Sequence, residues 1–420
     1  MSVLAQDDVQ ELIENGLANL PPPDPGAPAS SFDPYAAEVL TDPYDHYRRL
    51  RELGPVVWLR RYGAYAVCHY EPIRDILTDD ATYGSSAGAG LTNFHTSKPW
   101  RTPSLLLETD RPEHDRTRKQ MMRVMNPAAI RAFRQTFEAL ADQMVDDMIA
   151  KGQCDGTKDL AERFPLKAFC DAVGIPADGR ENLLPYGDMV FNAFGPANTR
   201  FKECLASVSS SVVPWITHAC KRDTLTEDGL GRRLFQGVES GDLTEDEAEL
   251  LVRSLLSAGL DTTIFTLSIA LVNLARHPDQ WQTLKNKPSL ARQAVEEILR
   301  YDSTFHSFYR TTRKPVELCG VKMDEEQKIM VLVASANRDP NYWDRPDTLD
   351  ITRRAANHLA FGTGIHGCAG QMMARLEGEI VLTALANKLD KLELTGEPVL
   401  HFNNTVRGYM SSPLRVTGKP

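Results

Sequence analysis

A mainly α-helical body with a small β-sheet subdomain is the fold class this sequence predicts, and three observations lead to it. From about residue 112 to 300, apolar residues recur at helical spacing with few β-branched clusters. Short β-rich runs occur only at scattered places: 55–59 and 64–69 flank Tyr62-Gly63 as one hairpin, and 316–318 with 328–333 read as a second. The 420 residues are 42% hydrophobic and 25% charged, which excludes collagen-like, disulfide-framework and wholly disordered classes.

Each part can be justified in order. Pro21-Pro22-Pro23-Asp24-Pro25 opens a stretch that cannot form helix or sheet, so residues 1–30 read as an extended leader, with order beginning near Phe32. Residues 31–420 then form one domain whose β-rich part comes mainly from 50–75 and 310–335. The strongest helix signal is Thr244 with Glu247, a capping-box start, after which the apolar pattern runs until His277-Pro278 stops it. That is about 30 residues, or roughly 45 Å. Arg253, Ser254, Ser257 and Asp261 lie in its middle, so the helix is expected to thread the interior beside something polar.

Composition also limits partners and location. A net charge of −10 argues against a nucleic-acid partner. The weakly polar run 264–275 is short of the roughly 20 residues that span a bilayer, so no membrane partner is expected. Residues 1–20 carry Asp7, Asp8, Glu11 and Glu14 and no basic residue, which points to the cytoplasm. Seven cysteines form no CxxC pair and read mostly as reduced thiols.

One cysteine differs. Phe361-Gly362-Thr363-Gly364-Ile365-His366-Gly367-Cys368-Ala369-Gly370 is a glycine-rich loop feeding a helical pattern at Gln371. A helix start favours the thiolate, while glycines let backbone N–H groups near the sulfur and leave room for a flat ligand. The loop matches F-G-x-G-x-H-x-C-x-G, by which the chain resembles the cytochrome P-450 superfamily over nearly everything after residue 32. The resemblance implies the triangular helical body of that fold, with heme b between the long central helix and the Cys-ligand loop. It implies Cys368 as the iron ligand, Phe361, Gly362 and Gly370 as cofactor contacts, and His366, His114, Arg118 and Arg310 as partners of the heme propionates. A thiolate axial ligand favours O–O cleavage, so the reaction class implied is monooxygenation. Glu297 and Arg300, joined by Arg353, are implied to brace the heme loop.

Ala258-Gly259-Leu260-Asp261-Thr262-Thr263 matches the same family's oxygen-activation signature. Gly259 is expected to loosen the helix, with Asp261 feeding protons to Thr262, which orients water and O2; Thr263 packs or caps. Electrons are expected from a ferredoxin and an NADH-dependent ferredoxin reductase, docking where Arg111, Arg116, Arg118, Lys119 and Arg123 outnumber Glu113 and Asp115.

The substrate expected is a small aromatic carboxylic acid. Ser254, Ser257 and Asp261 share one helix stripe, and Arg101 with Ser104 makes a carboxylate site, on a loop that the family resemblance implies covers the substrate. Phe191, Phe194, Phe305 and Phe308 supply aromatic walls. These stretches, with Leu107, Arg253 and the run Phe402-Asn403-Asn404-Thr405-Val406-Arg407-Gly408, resemble a bacterial subgroup that oxidatively demethylates para-methoxybenzoate and relatives. The likeness implies that Arg101, Ser104 and Ser254 hold the carboxylate, with Arg253 behind them, Ser257 bridging by water and Leu107 on the ring. Phe305 and His306 depart from the subgroup and bear on the exact substrate. Oxidation of a longer acid, a peroxide-driven peroxygenase, a heme-based sensor and a heme-free helical scaffold stand as alternatives.

Overall fold

In the computed structural model, which describes residue 24 and residues 26–420, one apolar core is built almost wholly from helices and two smaller ones flank a sheet. Residues 1–23 and 25, most of the expected leader, lie outside the described residues. Its last part is not loose: Ala29–Ser30 is an edge strand parallel to Trp58–Leu59, and Lys322 N donates to Asp24 Oδ2 at 2.8 Å.

The first expected hairpin is present, Val56–Leu59 antiparallel to Ala64–Val67. The second differs. Val316–Leu318 pairs with Val321–Met323, whereas Lys328–Val331 runs between Phe308–Thr312 and Ala64–Val67 in a six-stranded sheet. Gly320, at φ 84°, allows the tight local turn, and the buried Ile329-Met330-Val331 run needs a partner on both sides.

The helical core centres on a pair of consecutive segments. The capping box at Thr244 and Glu247 starts Glu245–Ala258, and Asp261–Arg276 continues it to His277-Pro278. The expected single helix is therefore broken at Gly259-Leu260. A Cβ at Gly259 would overlap the Phe169 ring, so glycine lets helix Arg163–Val173 press against the break. The span Glu245–Arg276 is long and apolar enough to cross a membrane, with a mean hydropathy of 1.7 in its best window, yet 72% of that window is buried in the protein. Helix Gln371–Lys388, which follows the Cys368 loop, packs on Asp261–Arg276 and on Ala291–Tyr301 and Arg134–Lys151.

Candidate active site

Cys368 sits one residue pair before helix Gln371–Lys388, and its N–H donates to Phe361 O at 2.8 Å, closing the loop. Gly362 and Gly364 turn the chain at φ 62° and 69°; a Cβ at Gly364 would overlap Leu77 O. Burial pushes the Cys368 thiol up, while the N–H groups of Gly370 and Gln371 and the Arg118 and Arg375 guanidiniums oppose it. The donor set suits a thiolate that a metal must create by displacing the proton.

Beside the loop lies a group of buried donors with too few acceptors. Neither ring nitrogen of His114 has a hydrogen-bond partner among the described residues, and the acid nearest to it, Asp115, stands 3.7 Å away. The His366 ring lies 4.3 Å from that of His114; its Nδ1 meets Leu106 O at 3.1 Å and its Nε2 has no partner. Burial, then the Arg310 and His114 charges, hold His366 down at about 3, and burial holds Arg310 at about 10. Among the described residues Arg310 donates to the carbonyl of Tyr309, and Arg118 to that of Gly367. Four donors, two buried and two half-buried, none of them hydrogen-bonded to a carboxylate among the described residues, fit a dianionic prosthetic group, as the propionates of heme would provide.

Behind them, two buried acids tie helix Ala291–Tyr301 to its surroundings. Glu297 and Arg300 pair at 2.7 Å with both side chains fully buried, and Arg353 joins Glu297 at 3.2 Å. Glu296 holds His358 at 2.9 Å and Arg375 at 2.5 Å; though burial opposes ionisation, those partners bring it down to about 2. The Arg375 guanidinium in turn covers the Phe361 ring. Sequence reasoning missed Glu296, whose partners are distant in the chain.

At the helix break, Thr262 Oγ1 donates to Ala258 O at 3.0 Å. Asp261 is buried with Oδ2 unpartnered, and burial, then Asp188 and Glu162, hold its carboxyl well above the usual range. A carboxylic acid kept protonated beside a hydroxyl at a helix irregularity can give up a proton toward it.

A second buried acid escaped the sequence. Glu377, fully buried on helix Gln371–Lys388, has neither oxygen clearly partnered; burial pushes it to about 8, opposed only by the Thr263 hydroxyl. Between its ordinary 4.5 and about 8, the folded protein binds a proton that the unfolded chain has lost, so stability falls as pH rises through that window, by up to about 1.4 kcal/mol per pH unit. Glu377→Gln is therefore expected to be near neutral at pH 4.5 and strongly stabilising at pH 8. Urea midpoints of both proteins at the two pH values check this; an equal difference at each would refute it.

The expected substrate residues fall into two groups. Ser104 Oγ meets Ser254 Oγ at 3.2 Å, Arg101 and Arg253 both donate to Thr102 O at 2.9 Å, and Ser257 Oγ reaches Ser254 O at 3.4 Å. Arg101, expected to await a ligand, already holds an internal carboxylate: Glu108 Oε2 lies 3.1 Å from its Nη1 and 2.7 Å from Ser104 N. Leu107 N donates to Ser104 Oγ at 3.3 Å. Phe191, Phe194, Phe305 and Phe308 form an aromatic chain, with successive ring centroids 5.8 to 6.3 Å apart. His306 turns away from it to meet Tyr47 Oη at 3.0 Å, so of the two departures only Phe305 joins the aromatic wall.

On the outer face, the basic surplus of residues 111–123 is smaller than the sequence implies. Arg118 points inward, and Arg111, Arg116 and Arg123 meet Asp80, Glu247 and Asp242 from outside the segment.

A cysteine at a glycine loop and helix start, four donors beside it with no hydrogen-bonded carboxylate among the described residues and a broken helix packed against its own helix define a heme-thiolate protein. The family model for cytochrome P450 matches residues 197–287 and 279–405. The chain is 45% identical over 393 residues, 93% of its length and 95% of the relative's, to cytochrome p450 CYP199A2 of Rhodopseudomonas palustris. It is 30% identical over 400 residues, 90% of this chain and 92% of the relative, to the cytochrome P450 monooxygenase PikC of Streptomyces venezuelae. The solved structure of cytochrome P450 CREJ in complex with (4-ethylphenyl) dihydrogen phosphate superposes with a TM-score of 0.82 at 26% identity, covering 92% of this chain and 99% of that one. The chain belongs to the cytochrome P450 family: an oxidoreductase whose cofactor is heme b.

Proposed function

We propose that this cytochrome P450 oxidises a small para-substituted aromatic carboxylic acid in the cytoplasm, by O-demethylation of a methoxybenzoate-type substrate or hydroxylation of a para-alkyl group, with electrons from an NADH-dependent ferredoxin reductase and its ferredoxin. The observation that carries this reading is the cluster of Arg101, Ser104 and Ser254, together with the chain of four phenylalanines packed ring to ring. Both bonds made by Arg101 use Nη1, which leaves its other N–H groups for a ligand carboxylate, with the two serine hydroxyls beside them. The aromatic acid bound by CREJ, a para-alkylphenyl ring with an acidic group, has the same outline.

Heme held by a thiolate supplies O2 activation: with two electrons and two protons, one oxygen atom enters a substrate C–H bond and the other leaves as water. The chain's own residues decide where. Arg101, Ser104 and Ser254 anchor the acid, with Arg253 holding the Thr102 carbonyl behind Arg101. The phenylalanines fix the ring and exclude water, so the para substituent is the part presented for oxidation. Hydroxylation of a methoxy carbon gives a hemiacetal that expels formaldehyde and leaves a phenol. Asp261 passes protons to the Thr262 hydroxyl.

Titrating the holoenzyme with para-methoxybenzoate is expected to shift the resting heme spectrum, and no para-substituted benzoate doing so would refute the substrate class. Turnover with ferredoxin, reductase and NADH, but not with peroxide alone, is expected, and the reverse would make it a peroxygenase. Arg101→Ala should weaken acid binding about 10- to 100-fold and methyl-ester binding little, since a hydrogen bond to a charged group is worth about 1.5–3 kcal/mol. Arg101→Ala also strands Glu108, so Arg101→Ala/Glu108→Gln should recover part of the loss; acid and ester weakened alike would remove the anchor.

A further inference from the structure

The carboxyl of Asp261 packs on the backbone of Gly187 in helix Leu183–Asn192, where any Cβ would overlap Asp261 Oδ2. The next residue, Asp188, reaches solvent with 27% of its side chain exposed. Its Oδ1 accepts from His401 Nε2 at 2.8 Å and from Asn403 Nδ2 at 2.7 Å, and its Oδ2 accepts from the Cys204 thiol at 3.1 Å. The His401 ring stacks on Phe265 with centroids 4.8 Å apart and planes 21° from parallel. Phe265 follows Asp261 by four residues and so lies one turn along the same helix face. Asp188 thus follows the residue on which the Asp261 carboxyl packs, and His401 stacks on the residue one helical turn beyond Asp261; both are partly open to water, whereas Asp261 is buried.

We propose that the Asp188–His401 pair is the port through which solvent protons reach Asp261 and, beyond it, the Thr262 hydroxyl. The proposal rests on the reading of Asp261 as the proton donor to Thr262. In each cycle Asp261 releases a proton toward Thr262, Asp188 takes one from His401 and hands it to Asp261, and solvent returns one to the imidazole. The chain ends as it began, and no oxidant or reductant is needed.

The charges around the pair suit that direction of flow. Burial first, then Asp188 and Glu162, raise the Asp261 carboxyl, so its proton is retained until Thr262 draws on it. Burial works against ionisation of Asp188, but His401, Cys204 and Asn403 hold it below the usual carboxylate range. Asp188 is thus the ionised acceptor between a proton source in contact with water and a buried donor.

Infrared difference titration of the holoenzyme, with the protonated-carboxyl band assigned by its loss in Asp261→Asn, tests the coupling directly. In Asp188→Asn that band is expected to disappear at lower pH, because a neighbouring negative charge has gone. During turnover, Asp188→Asn and His401→Gln should each lower the share of electrons recovered in product about tenfold, less than the roughly hundredfold or more of a group that transfers the proton to the reacting atoms. They should also enlarge the solvent isotope effect. If Asp188→Asn fails to fold, His401→Gln, which keeps Asn403 on Asp188, decides the matter. An unmoved infrared titration with unchanged electron recovery in these variants, while Asp261→Asn loses product, overturns the port alone. Full electron recovery in Asp261→Asn overturns the donor role of Asp261 and the port with it.

Discussion

Cys368→Ser is expected to abolish oxygen insertion and to move the absorption band of the reduced, carbon-monoxide-bound protein away from its thiolate position. The physical reason lies in the loop. Two backbone N–H groups and two guanidiniums are arranged about one sulfur in a site whose burial otherwise opposes charge, so they offset part of the cost of a thiolate. A serine hydroxyl placed there keeps its proton at neutral pH and gives the iron a far weaker donor. The helices that set the loop, Ala291–Tyr301 and Gln371–Lys388, do not depend on the sulfur, so the variant should fold with a near-parental urea midpoint in the heme-free state. An unaltered carbon-monoxide band would mean that another group binds the iron, and every role assigned by proximity to Cys368 would have to be reassigned.

What the sequence made legible was local. The capping box at Thr244 and Glu247 and the stop at His277-Pro278 depend on residues a few positions apart, and both stand where the pattern puts them. Gly259 signals an irregularity within the central helix, but the reason it must be glycine, the Phe169 ring against it, comes from a helix about ninety residues earlier. The Lys328 strand failed for the same cause. Ile329-Met330-Val331 is a short apolar run, and nothing within it says whether its partner is the nearby Val316–Leu318 or the distant Ala64–Val67. Acids with long-range partners were the hardest to read. Glu108 lies within the covering loop, yet its carboxylate meets Arg101 and Ser104 only because that loop folds back on itself. Glu377 looks like an ordinary polar helix position until Gln371–Lys388 is packed against Asp261–Arg276 and its side chain is fully buried.

Arg300→Ala is expected to cost about 3–5 kcal/mol of folding stability, because it removes one member of a fully buried ion pair and leaves the other charged. Glu297 would retain Arg353 at 3.2 Å and the N–H of Asp350, but Arg353 is itself partly exposed and cannot replace a bidentate partner. The same guanidinium donates to the carbonyls of Asn337, Pro346 and Thr348, so three turns of the segment leading to the Cys368 loop lose their anchor at once. Asn337 also receives Leu359 N at 2.7 Å, two residues before Phe361, which carries the disturbance to the heme loop. Heme release should therefore precede global unfolding in Arg300→Ala, whereas in the parent the two should coincide in urea. Glu297→Gln/Arg300→Met, which replaces the pair by groups of similar volume without a stranded charge, should regain more than about 1 kcal/mol of the loss. A single variant within 1 kcal/mol of the parent, or a double variant no better than the single, would show that the carbonyl contacts rather than the ion pair hold the segment.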